Sequence, residues 1–368
     1  MRIGFDAKWF FTGNPSGRVV VSNILPHLVA QNPQHEFYIF LKESDKDKTF
    51  PIKESNVHII YVWGEISLLS NIFIIPLKAW RLRLDVFLFQ YNSPLFSNFI
   101  RIAYIYDVIF ESSPQYFTLR EKIYFSPMRL LARHAQKICT ISKSERNRIL
   151  KYKYSKNNNV DVVYLGVREA FKPRSFFETT FLDEVKKTYN LPDDFVLYVG
   201  RLNERKNISN LFYAIPLVKN KSVKFVFAGT YDGKSFDALK KIEELKIKDK
   251  VILTGFVKDE HLPPLYSLAR LFCYVSYDEG FGLPPVESMA AGVPVVVANT
   301  GSLPEVCGDA GNYIDPHKPE EIAFMIDTLL ADDSLYEKKA AIGISRAKEF
   351  TWQKAAEQLM HSIQNTII

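Results

Sequence analysis

Residues 271–298 read Leu271-Phe272-Cys273-Tyr274-Val275-Ser276-Tyr277-Asp278-Glu279-Gly280-Phe281-Gly282-Leu283-Pro284-Pro285-Val286-Glu287-Ser288-Met289-Ala290-Ala291-Gly292-Val293-Pro294-Val295-Val296-Val297-Ala298. An apolar β-rich run, a glycine-bearing loop, a helical stretch opened by two prolines and a second apolar run follow without a break. Strand, loop, helix, strand is the repeating unit of a parallel sheet covered by helices. Ligands in such open sheets sit beyond the carboxyl ends of the strands, so the loop from Glu279 to Gly282 is where chemistry is to be sought.

The same rhythm extends in both directions. Before this stretch come candidate strands at residues 195–199, 224–228 and 250–253, and after it helical patterns at 319–330, 334–350 and 351–363. An earlier series has candidate strands at 2–6, 36–41, 57–62, 85–90, 101–106, 137–141 and 160–165, with helices at 18–30 and 119–134. A polar stretch, 168–180, separates the two series. At 368 residues the chain exceeds what one hydrophobic core usually serves, so two domains are expected, residues 1–170 and 171–350.

Composition bounds the function classes. With 47% hydrophobic and 24% charged residues the chain is an ordinary globular one, neither fibrous nor disordered. The longest apolar run, 66–77, contains Ser70 and Asn71 and is shorter than the roughly 20 residues a membrane span needs. The amino terminus lacks the apolar stretch and cleavage site of a secretory signal, which points to the cytosol. Cys139, Cys273 and Cys307 are odd in number, far apart and set among apolar neighbours, as buried thiols would be. The formal charge of +6 is moderate, and no nucleic-acid-binding signature accompanies it.

Two loops carry candidate chemistry. Gly200-Arg201-Leu202-Asn203-Glu204-Arg205-Lys206-Asn207 runs from a strand into a helix, with Asn207 as a candidate N-cap and Arg201 and Lys206 beside free N–H groups. That setting suits a diphosphate, although a solvated basic loop has the same composition. In the second loop, Gly280 and Gly282 permit close backbone approach to a ligand, and Glu279 and Glu287 flank them. Two carboxylates also invite a glycosidase reading, and Glu287 could serve only to complement the helix dipole.

Glu279 to Glu287, with Gly-Phe-Gly between them and Ala290-Ala291-Gly292-Val293-Pro294-Val295-Val296 after them, resembles the donor-binding signature of the family 4 retaining glycosyltransferases. Gly200-Arg201 with Lys206-Asn207, Phe227-Ala228-Gly229 and Thr254-Gly255-Phe256-Val257 resemble further segments of that family, in the same order. The resemblance implies the GT-B fold: two Rossmann-like domains with parallel sheets facing a central cleft, the amino-terminal one binding the acceptor and the carboxyl-terminal one the donor. It also implies that the last helix, 351–368, rejoins the first domain.

Residue by residue, the resemblance assigns the diphosphate to Arg201 and Lys206. It assigns the ribose hydroxyls to Glu287 and the donor sugar to Glu279, aided by the backbone of Gly280, Phe281, Gly282 and Leu283. Gly229 belongs to the same donor site, and Phe256 and Val257 look like the wall beside the base. In the first half, Thr12-Gly13-Asn14-Pro15-Ser16-Gly17-Arg18 resembles the family's glycine loop, with Gly17 near the phosphates. Tyr106-Asp107 stands where relatives often carry His-Asp; a phenol can donate the same hydrogen bond but cannot shuttle a proton near neutral pH, and a core tyrosine fits equally well. Thr140-Ile141-Ser142 resembles a cleft-facing turn, with Ser142 as a plain N-cap the preferred reading.

The implied activity is transfer, with retention, of a hexosyl or deoxyhexosyl group from a UDP- or GDP-sugar to a saccharide or lipid-linked acceptor in surface polysaccharide or lipopolysaccharide synthesis. A sugar-nucleotide epimerase, a phosphorylase and a non-catalytic binding partner are the alternatives on this scaffold. No cofactor is expected, since the sugar nucleotide is a substrate, and no metal. Asp45-Lys46-Asp47, which superficially matches a metal motif, reads as a solvated loop. Lys78-Ala79-Trp80-Arg81-Leu82-Arg83 could touch the inner face of an anionic membrane, with a helix packed on its own domain as the preferred alternative.

Overall fold

The computed structural model describes residues 1–13, 15–63, 66–230 and 237–367. The chain forms two compact units, one comprising Met1–Gly166 and Trp352–Ile368, the other Val167–Thr351.

The first unit is built on seven parallel strands: β1 (Arg2–Asp6), β2 (Glu36–Lys42), β3 (Val57–Val62), β4 (Val86–Gln90), β5 (Ile100–Tyr104), β6 (Lys137–Thr140) and β7 (Val160–Val162). Their order is β3-β2-β1-β4-β5-β6-β7. Every side chain of β4 is buried, as befits a central strand covered on both faces. One face packs Phe40, Phe87 and Phe89 under the helix Ile75–Arg81, whose Ile75 and Ala79 point inward. On the other face the helices Pro15–Ala30 and Trp352–Ile367 pack together. Ala355, Ala356, Leu359 and Ile363 are fully buried, so the end of the chain completes the core begun by its start.

The second unit has six parallel strands: β8 (Phe195–Val199), β9 (Lys224–Ala228), β10 (Val251–Gly255), β11 (Leu271–Tyr274), β12 (Val295–Ala298) and β13 (Gly311–Ile314). Their order is β10-β9-β8-β11-β12-β13. Renumbered within the unit this is 3-2-1-4-5-6, the arrangement of a doubly wound nucleotide-binding sheet, and the first six strands of the first unit follow it too. The strand order reverses between β8 and β11, so the loops leaving those two strands border the switch point.

Two readings of the sequence need correction here. The stretch 119–134 is two helices, Leu119–Phe125 and Met128–Ala132, because Pro127 lacks the N–H that would continue the first. Asp45 is buried and paired with Lys48 at 2.7 Å, so the Asp45-Lys46-Asp47 segment is not wholly solvated. The three cysteines are buried and free.

Candidate functional site at the switch point of the second sheet

Three adjacent strands end on glycines with positive φ: Gly200 at 150°, Gly229 at 151° and Gly255 at 68°. A Cβ on Gly229 would stand 1.9 Å from the carbonyl oxygen of Gly200, so the first two strand ends touch through backbone alone. This edge therefore presents main-chain groups to whatever lies above it.

The loop after β8 turns on two asparagines. Asn203 accepts the N–H of Lys206 at 3.1 Å and so closes the short turn Glu204–Lys206. Asn207 adopts the left-handed conformation, φ 58°, which redirects the chain into the helix Ile208–Ala214. Its amide group donates to the carbonyls of Val275 at 2.9 Å and Pro316 at 2.6 Å, so this buried side chain ties three strand-end loops together rather than capping the helix. That corrects the N-cap expectation.

Lys206 is thereby aimed at the loop after β11. Its Nζ lies 2.5 Å from Glu279 Oε1, donates to the Tyr274 hydroxyl at 2.6 Å, and sits 5.0 Å from the centre of the Tyr274 ring. Arg205 approaches the other carboxylate oxygen of Glu279 at 3.5 Å and donates to the Asp278 carbonyl at 2.9 Å. Burial alone would raise the Glu279 pKa, but the charges of Lys206 and Arg205 outweigh it and hold the carboxyl at about 2. Burial also pushes the phenols of Tyr274 and Tyr198 well up, so they stay neutral hydrogen-bonding groups.

Behind Glu279 stands a second loop. Ser302 donates from its hydroxyl to the Glu279 carbonyl at 3.0 Å. A Cβ on Gly301, φ 58°, would lie 2.9 Å from Asp278 Oδ1 and from the Glu279 backbone. Gly282, φ 93°, then starts the helix Leu283–Ala290, and its missing Cβ leaves room for Leu303, whose Cδ2 would stand 2.6 Å away. Gly280 and Phe281 are buried between these supports, and Leu283 is half-buried at the helix start.

Glu287, one turn into that helix, has a different environment. Tyr266 donates to its Oε2 at 2.9 Å. Burial pushes Glu287 up to about 7, with Tyr266 and Arg168 opposing the rise. The two glutamates of the motif are thus driven in opposite directions, one fixed as an anion and one poised near neutrality.

Of the residues expected in the site, Lys206 and Glu279 meet directly. Arg201 is exposed, and among the described residues it is Arg205 that joins Lys206 on Glu279. Phe256 is exposed and Val257 buried at the end of β10. In the first unit, the Tyr106 hydroxyl donates to Gln90 at 2.6 Å inside an aromatic cluster with Trp9 and Tyr91, the core placement weighed above. Asp107 accepts locally from the Ile109 N–H at 3.4 Å. A Cβ on Gly17 would stand 2.2 Å from the Trp9 ring, which accounts for that glycine by packing. Asn14 of the same loop lies outside the described residues. Ser142 caps the helix Lys143–Lys151 by accepting the Glu145 N–H at 3.0 Å. Arg205, Tyr266, Tyr274, Gly301 and Ser302 were not anticipated; only Gly301-Ser302, in the loop after β12, gave a local sign.

Residues 182–348 match the family described as Glycosyl transferases group 1. The O-antigen chain mannosyltransferase B of Escherichia coli is 36% identical over 233 residues, 62% of this chain and 60% of that protein. The chain is thus matched over less than two thirds of that relative's length. The sucrose-phosphate synthase of Thermosynechococcus elongatus superposes with TM-score 0.75 at 20% identity, over 99% of this chain and 98% of the other. HepE of Anabaena, solved in complex with UDP and glucose, gives TM-score 0.75 at 18% identity, over 99% and 100%. These superpositions show the GT-B fold.

Proposed function

We propose, on the premise that residues 182–348 of this chain belong to the group 1 glycosyl transferases, that the protein transfers a hexosyl or deoxyhexosyl group from a nucleotide sugar to a saccharide or lipid-linked acceptor, retaining the anomeric configuration. The observation that carries this reading is the Lys206–Glu279 pair, held at the switch point where a doubly wound sheet binds nucleotides. Mannosyl is the first donor group to test, since the O-antigen relative is a mannosyltransferase. Assembly of surface polysaccharide is the corresponding context.

Each residue then has a task. Lys206, with Arg205 and Arg201 nearby in sequence, neutralises the diphosphate and the charge that grows on it as the glycosyl bond lengthens. Glu279, unable to take up a proton near neutral pH, accepts hydrogen bonds from donor-sugar hydroxyls and keeps Lys206 in place. The backbone of 280–283 aids Glu279 in orienting the donor sugar, and the glycine edges Gly200 and Gly229, whose own N–H groups donate to the Ala228 and Gly255 carbonyls, leave room for phosphate oxygens. Glu287 accepts from ribose hydroxyls, and Phe256 and Val257 border the base. The departing phosphate oxygen takes the acceptor proton, so the protein supplies positioning and charge, with no nucleophile, cofactor or metal of its own.

Thermal denaturation with a panel of nucleotides and nucleotide sugars tests the assignment. One nucleoside diphosphate should raise Tm in the wild type and fail to do so in Lys206→Ala. Glu279→Ala should keep the nucleotide response and lose the extra increment from the attached sugar. Absence of any nucleotide response in the wild type would contradict the proposal.

A further inference from the structure

Residues 66–84 run from the end of β3 toward β4 and form a helical stretch, with Ser67–Leu69 and Ile75–Arg81 α-helical and Ser70–Ile74 widened to a π-turn. This stretch is apolar on both its buried and its exposed side, which is unusual for a helix on a water-facing surface. Its inward side buries Ile75 and Ala79 in the core together with Ser70 and Asn71, the Asn71 amide group donating to the Asn92 carbonyl at 2.8 Å and its carbonyl oxygen accepting from the buried Lys8. Its outward side carries Ile66, Leu69, Phe73, Leu77 and Trp80, spaced three or four residues apart and therefore on one face. Phe73 is 66% exposed and Trp80 57%. Isolated exposed apolar side chains need no explanation, but a contiguous stripe of five does.

The charges around the stripe identify what covers it. Residues 66–84 contain Lys78, Arg81 and Arg83 and no acidic residue. Lys78 is committed to the Tyr61 carbonyl at 2.7 Å, whereas Arg81 and Arg83 are exposed. Those two arginines, with Trp80, Leu84 and Asn98, line an open depression of about 550 Å³ at the end of the stripe. An acid adjoins the stretch at each end in sequence, Glu65 and Asp85; Asp85 accepts the backbone N–H of Arg2 at 2.7 Å, and the Arg2 guanidinium donates to the Leu82 carbonyl, adding a third cation nearby. An indole beside guanidinium groups at the edge of an apolar stripe is the arrangement that suits the boundary between acyl chains and anionic headgroups.

We infer that the first unit docks through residues 66–84 onto an anionic lipid surface, with Phe73, Leu77 and Trp80 entering the headgroup–acyl boundary and Arg81 and Arg83 engaging lipid phosphates in the depression. The stretch lies on the bilayer and does not cross it, since no helix among the described residues is long and apolar enough to span one. The docking surface belongs to the first unit, so its test is independent of nucleotide binding by the second.

Co-sedimentation of the full chain with phosphatidylcholine vesicles, with and without phosphatidylglycerol, measures this directly. The wild type should partition onto the anionic vesicles and be released by salt. At about 1 kcal/mol for each cation near the surface, Arg81→Gln with Arg83→Gln should weaken partitioning about 30-fold. Phe73→Ser with Trp80→Ser should abolish it, and both double variants should keep the wild-type nucleotide response and Tm, because all four side chains point outward. Equal partitioning onto neutral vesicles would overturn the inference. So would unchanged binding by either double variant, or a self-association in sedimentation velocity that Phe73→Ser with Trp80→Ser dissolves and lipid does not.

Discussion

A carboxyl group sealed from water ordinarily gives up its charge, and Glu279 keeps it only because Lys206 and Arg205 bracket it. Its pKa falls from 4.5 to about 2, so the ion pair stabilises the fold above pH 4.5 and that contribution fades as the pH drops toward 2. The full amount is about 3 kcal/mol, and Glu279→Gln should flatten this acid limb in urea unfolding. Glu287 behaves oppositely: raised to about 7, it favours the fold while protonated and loses that contribution as pH climbs from 4.5 through 7. If ribose hydroxyls bind its ionised form, nucleotide binding near pH 7 should release protons, seen as a buffer-dependent enthalpy that Glu287→Gln removes. At Gly229 the prediction is steric: Ala would force its Cβ against the Gly200 carbonyl, and equilibrium unfolding should register a loss of about 2 kcal/mol or more. Lys206 and Glu279 were legible because the motif names them. Arg205 was not, since a loop holding Arg201, Arg205 and Lys206 gives no sign of which cations turn inward until the Asn203 turn is formed. Tyr266 and Tyr274 sit on a helix and a strand whose other residues are core, so nothing in their neighbourhood marks them as partners of the acids.

At the scale of elements, the parallel sheets were legible because strands covered on both faces are apolar runs, as with residues 86–89 and Val295–Ala298. The strand Gly311–Ile314 escaped notice: it is four residues long, contains Asn312 and opens on a glycine. A Cβ on Gly311 would stand 2.4 Å from the Tyr313 ring, so a larger residue there would have to displace that side chain. The closing helix, Trp352–Ile367, was legible as a helix from its apolar period, whereas its partner was supplied only by the family resemblance. Its Leu359 is fully buried in the first unit, so Leu359→Ala should cost about 2–5 kcal/mol. Because that helix and Pro15–Ala30 pack together, the loss should appear in the unfolding of the first unit while nucleotide protection of the second persists.

On the scale of the whole molecule, the first six strands of one unit and the six of the other share one order, and each unit carries a cation–carboxylate pair beyond its first strand or the loop that follows. At the corresponding place in the first unit lie Asp6 and Lys8, paired at 3.0 Å and buried beside the aromatic cluster of Trp9, Tyr91 and Tyr106. The first unit's pair is sealed in the core, whereas that of the second is slightly exposed, as the proposed nucleotide site requires. Incubating the protein with a panel of UDP- and GDP-sugars, GDP-mannose included, and following release of the free nucleoside diphosphate as the sugar passes to water or to an added saccharide acceptor tests the proposed site most directly. The wild type should turn over one donor, and Lys206→Ala should lose that turnover by at least about a hundredfold while still unfolding cooperatively, at a denaturant midpoint lowered by the loss of the Glu279 pair. Wild-type turnover in Lys206→Ala would contradict the account.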